Sequence, residues 1–565
     1  MRFRGLCLFA VLTLLALPAL GRTGSPPISF SEAGVSELAD VPRRVLPPLD
    51  LARIVADAEA QDEINSRLGG GPYIFAEPQP VAFGVTDAGA WEVLADGARL
   101  WRMRVATPGA RHVNLGFSRF ELPEGSAMWL YNRSADYIEG PFTARDASRS
   151  GEFWSPIVYG DEIVVEVYVP AGAEGKLDVR LGSVNHGFRA FNKAGACNID
   201  VVCPEGDDWR DQINSVGFYT INGFGLCSGQ MMANTSGSDR PLFLSADHCN
   251  IDAEDAERLV FYWKYQSPVC GQQSGGSLQY NQSGSTLVAN EAFSDFLLLE
   301  LNEAPLPEFD VFYTGWDRSG NVPNGSVAIH HPSTDEKSIS FNEQPLGTVG
   351  IDPVTNFIID DGISHWVVDN WELGTTEGGS SGSGIWDPDT GLMVGWLTGG
   401  FASCFIIEED FYGKMSFGWS DAGDSESNQL APHLDPTGTG VMQQEGYYPE
   451  IIGCRPTSTN HCFQNRRFEV SMTYGDDVAA TVVPSFSDES GNFSFFQSTN
   501  WEMLVKVLDG CRINGYYWVF AAGATSLPWE LTVTDKFTEE TQTYQAAPGI
   551  FPVVTNSMAF ACATE

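Results

Sequence analysis

Cysteine placement divides this chain before any other feature does. Of its 11 cysteines, Cys7 lies in an apolar leader-like stretch and the other ten fall into two groups. Cys197, Cys203, Cys227, Cys249, Cys270 and Cys404 form the first group; Cys454, Cys462, Cys511 and Cys562 form the second. An even count in each group suits disulfides made in an oxidising compartment, where each bridge staples residues of one folded unit. Two stapled units are therefore predicted behind a long cysteine-free region, with the connectivity left open by sequence alone.

The first residues, "MRFRGLCLFAVLTLLALPALGRTGS", join two arginines, an apolar run and small residues around Ala19 to Gly21, which predicts a secretory signal over 1–21. No later stretch reaches the roughly eighteen apolar residues that a membrane helix needs, so an exported protein without a membrane span is expected. Lys+Arg 32 against Asp+Glu 73 gives a net charge of -41 spread along the chain. Such a field repels nucleic acid; it suits a solubilising extracellular surface, or one that attracts basic substrates.

Strand-like runs separated by Gly and Pro turns dominate all three regions, so the fold class is all-β. Residues 22–193 carry "LWRMRVAT" and "DEIVVEVYVP" and read as a β-rich domain; 446–565 carry "WEMLVKVLDG", "GYYWVFAAGA" and "WELTVTD" and read as a β-sandwich-like accessory domain. Residues 194–445 have few amphipathic helical stretches and fit a pair of β-barrels or a sandwich.

The chemistry lies in this middle region. "EGGSSGSGIWD", 377–387, has the composition of a flexible linker, yet runs directly into the core-type residues Ile385 and Trp386. Alternatively it is the loop around a nucleophile: Gly379 and Gly382 permit a tight backbone whose N–H groups converge on one point beside Ser381. His248 in "FLSADHCN" and Asp295 in "SDFLLLEL", just before a hydrophobic strand, supply a base and a carboxylate. Taken singly, each is ordinary. Together, His, Asp and Ser in that order within one region match the chymotrypsin-like arrangement and not the Ser, acid, His order of α/β-hydrolases.

"CNIDVVCPEGD", "LSADHC", "FYWKYQ", "SDFLLLEL", "GWDRSG", "IHHP" and "GSSGS" closely resemble the bacterial lysyl endopeptidases, secreted serine proteases of the chymotrypsin fold. The resemblance covers 194 to about 445 and implies a chymotrypsin-like double β-barrel. It implies His248 as general base, Asp295 as its orienting carboxylate, Ser381 as nucleophile, and the backbone N–H groups of Gly379 and Ser381 as oxyanion hole. It also implies the disulfides Cys197 to Cys404, Cys203 to Cys270 and Cys227 to Cys249. Residues 22–193 would be a propeptide that aids folding and blocks the site until removed. Gly384 stands where the family usually has proline.

The same resemblance places Asp410, in "EEDFYGK", where the family carries the carboxylate that pairs with a substrate lysine, and makes "LTGG", with Thr398 and Gly399, a wall of the pocket. The position six before Ser381 is Thr375, so the aspartate of trypsin-like enzymes is absent there and the pocket charge has to come from elsewhere. Lys193, four residues before Cys197, stands where the family's propeptide ends, so self-cleavage would release "AGACNID". The chain holds only seven lysines, which leaves few sites for self-digestion. Thr398 departs from the family, whose best-matching members have a histidine there, and no tryptophan lies between His331 and His365 to stack on it. A looser preference, or a shifted pH profile from a missing titrating group, follows as an expectation. His330 and His331 put adjacent imidazoles on opposite faces of a strand with no completing carboxylate, so neither metal nor cofactor is expected.

The sequence thus predicts a monomeric, secreted bacterial serine endopeptidase acting on protein or peptide substrates with basic residues, preferentially after lysine, and made as a zymogen. Arginine or mixed basic specificity is one alternative. A non-catalytic binding protein with a protease-like module is the other, and the intact triad argues against it.

Overall fold

The computed structural model describes residues 19–20 and 26–562, apart from 66–70, 192–193, 353–357, 360–362, 407, 422, 450–452, 455–456, 458, 465, 476, 484–487 and 497–499. The predicted signal therefore lies outside the described residues except for Ala19 and Leu20, and Lys193 lies outside them too.

In the N-terminal region, alternating apolar strands stack into two sheets. One contains Arg99–Ala106, Ala127–Asn132, Tyr137–Phe142 and Glu162–Val169; the other contains Ala76–Gly84, His112–Glu121 and Asp178–Gly187. Met103, Val105, Leu115, Phe117, Leu130, Val165 and Leu181 fill the space between them. Glu162–Val169 is buried almost throughout, because Ile28 and Leu38 cover its outer face beside Trp129, Tyr131 and Val164.

Two further antiparallel sheets form the catalytic region. The first runs Asn281–Ser283, Val260–Tyr262, Val216–Ile221, Gly225–Met231, Leu242–Ala246, Phe296–Leu301 and Ser285–Glu291. It curls around Tyr219, Phe243, Phe261, Trp263, Leu297 and Leu299. The second is built from Ser338–Asn342, Ser326–His330, Gly384–Trp386, Met393–Gly400, Asp410–Lys414, His365–Val368 and Gly347–Ile351, around Trp366, Trp371, Ile385, Leu397 and Tyr412. Large side chains from both sheets, among them Leu244, Phe296, Leu298, Trp316, Trp386 and Trp396, meet in a shared seam with Trp419 of the helix Met415–Ser420. This two-lobed, chymotrypsin-like arrangement brings strand ends of both sheets to one cleft.

Three disulfides join this region: Cys197–Cys404, Cys203–Cys270 and Cys227–Cys249. Its lysine ammonium groups all turn inward. Lys264 donates to the Glu308 carbonyl at 3.1 Å, Lys337 to the Ile213 carbonyl at 2.7 Å and Lys414 to Thr348 Oγ1 at 2.8 Å. Pairing continues past residue 445, where Tyr447 and Tyr313 exchange backbone hydrogen bonds.

The C-terminal region is a sandwich of two five-stranded sheets around Phe468, Val470, Phe493, Val505, Val519, Leu531 and Phe560. Its cysteines, whose pairing the sequence left open, join as Cys454–Cys462 and Cys511–Cys562. Among the described residues no helix is long and apolar enough to cross a membrane.

The second of these bridges closes a loop with a sequence separation of 51, which in the chain-entropy account is worth about 4 kcal/mol. Replacing Cys511 and Cys562 by serine is expected to lower the denaturant midpoint of the C-terminal region by a corresponding amount, read by tryptophan fluorescence, with the catalytic region's transition unchanged.

Candidate active site

His248 follows the strand Leu242–Ala246 in a single tight turn, Asp247–Cys249. The Cys227–Cys249 bridge ties that turn to the neighbouring strand. Asp295 closes the turn before Phe296–Leu301, and the register Ala246 with Phe296 sets the two residues side by side. At φ 59° its backbone is left-handed, which aspartate tolerates better than most residues. In that conformation the Asp295 carbonyl accepts from Asp247 N at 3.1 Å. Its carboxylate takes His248 N at 2.8 Å on Oδ1 and His248 Nδ1 at 2.7 Å on Oδ2. The two side chains are 7% and 8% exposed. A carboxylate at Nδ1 fixes the tautomer with the proton there and leaves Nε2 as an acceptor.

Ser381 sits in the loop from the opposite sheet. Gly382, at φ 83°, lies so close to the first sheet that an added Cβ would be 2.2 Å from Ser245 Oγ and 2.8 Å from Ala246 N, so only glycine lets the loop rest on the strand that carries His248. Ser228 pins the loop from both of its polar groups, N–H to the Ser381 carbonyl at 2.9 Å and Oγ to the Gly379 carbonyl at 2.8 Å. Gly379, at φ 94°, turns its carbonyl toward Ser228. Among the described residues no hydrogen bond joins His248 Nε2 to Ser381 Oγ; such contacts commonly tighten once substrate is bound.

Several supports were not legible in the sequence. Trp396 reaches across the seam and donates Nε1 to the Ser294 carbonyl at 2.8 Å, bracing the turn that holds Asp295. His330, expected to be structural, bonds Ser380 Oγ at 2.8 Å and so steadies the Ser381 loop; burial lowers its pKa to about 3 and keeps it neutral. Glu377 opens that loop and accepts from Gly195 N at 3.0 Å and Ser333 Oγ at 2.9 Å, while Ala194 N donates to Asp335 Oδ2 at 2.7 Å. The segment next to Lys193 is thus anchored beneath the loop.

Thr398 has an imidazole partner from another strand. A register shift between Leu397 and Gly399 turns Thr398 toward His365, whose Nε2 lies 3.2 Å from Thr398 Oγ1, with Ser364 Oγ 2.7 Å from Nδ1. Burial lowers the His365 pKa to about 4, offset in part by the Asp295 charge, so the ring is neutral near neutral pH and contributes a dipole.

Asp410 begins the strand Asp410–Lys414 and is 1% exposed. Asp410 and Tyr412 lie toward Trp371, while Phe411 packs separately with Ile351 and Val367. Oδ2 accepts from Trp371 Nε1 and Thr376 Oγ1, both at 2.7 Å; among the described residues Oδ1 has only a long contact, 3.4 Å, from Ala402 N. Gly400 lies directly over the carboxylate, where a Cβ would be 2.0 Å from Oδ1. Burial raises the pKa of Asp410 to about 6, against the lowering pull of its two donors. Thr375 is also buried, and its carbonyl accepts from Ser340 Oγ at 2.8 Å. A grouping of Asp509, Cys511 and Cys562 elsewhere spends both sulfurs on their disulfide.

A family model described as "Lysyl endopeptidase, C-terminal domain" matches residues 191–413, and one described as "Lysyl endopeptidase N-terminal domain" matches 80–188; together they span more than half of the chain. A curated lysyl endopeptidase of Pseudomonas aeruginosa is 29% identical over 325 residues, 52% of this chain and 67% of that one. Among solved structures, a Glu endopeptidase is 14% identical with TM-score 0.23, covering 36% of this chain and 87% of its own. Kallikrein-related peptidase 10 is 14% identical with TM-score 0.25, covering 38% and 93%.

Asp295→Asn preserves an oxygen for the His248 backbone N–H, yet its amide can enforce the other imidazole tautomer. Peptide hydrolysis is expected to fall on the order of 10⁴-fold with the thermal midpoint little changed, measured by initial rates and calorimetry on one preparation.

Proposed function

This chain belongs to the lysyl endopeptidase family, and from that premise we propose that it is a secreted serine endopeptidase that cuts peptide bonds after lysine and is made as a zymogen. The observation that carries the reading is the seating of the Ser381 loop, through Gly382, on the strand that ends at the His248–Asp295 pair.

In this reading the Ser381 hydroxyl attacks the scissile carbonyl and His248 Nε2 takes its proton. Asp295 stabilises the imidazolium, and the Gly379 and Ser381 amides receive the developing oxyanion. His248 returns its proton to the departing amine, and water then releases the acyl group by the same steps in reverse order. His248 keeps Asp295 as its fixed partner through both half-reactions, which limits reorganisation around the imidazolium.

Asp410 supports lysine over arginine. Trp371 and Thr376 both bond Oδ2, which leaves Oδ1 as the acceptor for a substrate. A single oxygen suits the point charge of an ammonium, whereas a guanidinium fork is best satisfied by two. Thr398 and Gly399 line the approach to it.

Expressing the chain beside its Ser381→Ala variant tests the reading. A new N-terminus at Ala194 is expected by mass spectrometry only in the active form, with peptide-library cuts after lysine. An unprocessed wild type that cuts nothing would refute it.

The pocket has its own pH signature. With Asp410 at about 6, protonation competes with cation capture below that value. The affinity of a short alkylamine competitor is expected to weaken as pH falls through about 6, approaching roughly tenfold per unit, and Asp410→Asn should abolish both the affinity and its pH dependence.

A further inference from the structure

The strand Gly225–Met231 presents an edge that its own sheet does not use at one end. Leu242–Ala246 pairs with it only at Gln230 and Met231. At Gly225 and Leu226 the edge is taken instead by Tyr73–Ile74 of the N-terminal region, running antiparallel with Tyr73 opposite Leu226 and Ile74 opposite Gly225. Phe75 N continues the pairing to the Phe224 carbonyl at 2.9 Å.

This edge borders the nucleophile loop. Leu226 packs on Gly379, where an added Cβ would be 3.1 Å from its Cδ2, and the Tyr73 ring lies on Gly378, where a Cβ would be 2.8 Å away. Asp410 accepts from Thr376, two residues before Gly378, with Trp371 and Gly400 also against its carboxylate. A peptide whose lysine reached Asp410 and whose scissile carbonyl faced the Gly379 and Ser381 amides would leave across Gly378 and Leu226. Its residues beyond the cut would meet the edge that Tyr73–Ile74 occupies.

The occupant is held from behind. Arg189 stacks on the Tyr73 ring, 4.1 Å from its centroid, and pairs with Asp62 at 2.5 Å. Phe188 N and Arg189 N both reach the Phe75 carbonyl at 3.2 Å. Asp62 stands on the helix Leu51–Asn65, and Asn65 Nδ2 reaches the Pro72 carbonyl at 3.4 Å. Helix, strand and the chain just before the expected cleavage point thus close on one tyrosine.

We propose that residues 71–76 restrain the uncleaved enzyme as a substrate-like strand on the leaving-group side of the cleft, held there by the Asp62–Arg189–Tyr73 clasp, and that the freed Gly225–Leu226 edge then binds the substrate residues that follow the lysine. The proposal rests on the zymogen reading above and adds where and how the block is made. Backbone pairing gives such a strand affinity with little demand on sequence, which suits an occupant that must yield to many substrates.

The test uses the full chain with Ser381→Ala, which cannot process itself, and two fluorescent peptides read by anisotropy. One ends at its lysine; the other continues for four residues beyond it. With the clasp intact the longer peptide is expected to bind no better than the shorter one. Adding Tyr73→Ala should give the longer peptide an advantage of about tenfold or more. Asp62→Ala, at a partly exposed position, should act in the same direction and covers the case in which loss of the tyrosine disturbs folding. A longer peptide already favoured with the clasp intact, or unchanged by either variant, overturns the strand assignment. Hydrolysis by a full chain carrying Lys193→Gln separates the two readings. Turnover as fast as that of the processed enzyme overturns the zymogen reading and the proposal with it, whereas an inactive chain with an unchanged peptide ratio overturns the strand assignment alone.

Discussion

The seam between the two catalytic sheets is the contact on which the site depends. His248 and Asp295 come from one sheet and Ser381, Thr398 and Asp410 from the other, so no local folding of either sheet assembles the chemistry. Trp316, Trp386, Trp396 and Trp419 fill the junction with large rigid surfaces, and burial of this size drives the docking. Trp396 adds direction to that driving force. Its indole N–H meets the Ser294 carbonyl, one residue from Asp295, so the apolar contact also sets the polar register.

Around that seam the polar groups are arranged to stay fixed. Ser228 uses both its N–H and its hydroxyl on the nucleophile loop, His330 takes Ser380, and Glu377 takes Gly195. Each neighbour that bonds the loop removes an alternative backbone path, as the proposed oxyanion role of the Gly379 and Ser381 amides requires. Preorganisation of this kind matters because a dipole that need not turn during reaction stabilises charge at no reorganisation cost.

The β-rich fold and the family were legible in the sequence, because alternation, turn residues and motif strings are local properties. Its view of Thr398 was incomplete. A threonine in a strand-like string reveals neither the register shift that re-aims it nor the His365 imidazole it meets, 33 positions earlier. Trp396 and His330 were hidden for the same reason, since each acts on a residue distant in sequence. Tyr73 carried no signal at all; "GGPYIF" reads as a turn entering a strand, and only the folded chain shows that this strand completes another region's sheet. The second cysteine group was legible as a staple, but its connectivity required the sandwich geometry.

The inward-turned lysines take on a different meaning under the proposed cleavage after lysine. A protease at high local concentration is its own most abundant substrate. Lys264, Lys337 and Lys414 each bury the ammonium against an oxygen of the chain, so presenting one to a second molecule would mean breaking that hydrogen bond. Resistance to self-destruction is in this way a by-product of hydrogen bonding and not of scarcity alone. Should a cut occur between residues 197 and 404, the Cys197–Cys404 bridge would still hold the two ends together beside the pocket wall. The fold would age by accumulating nicks while keeping its cleft.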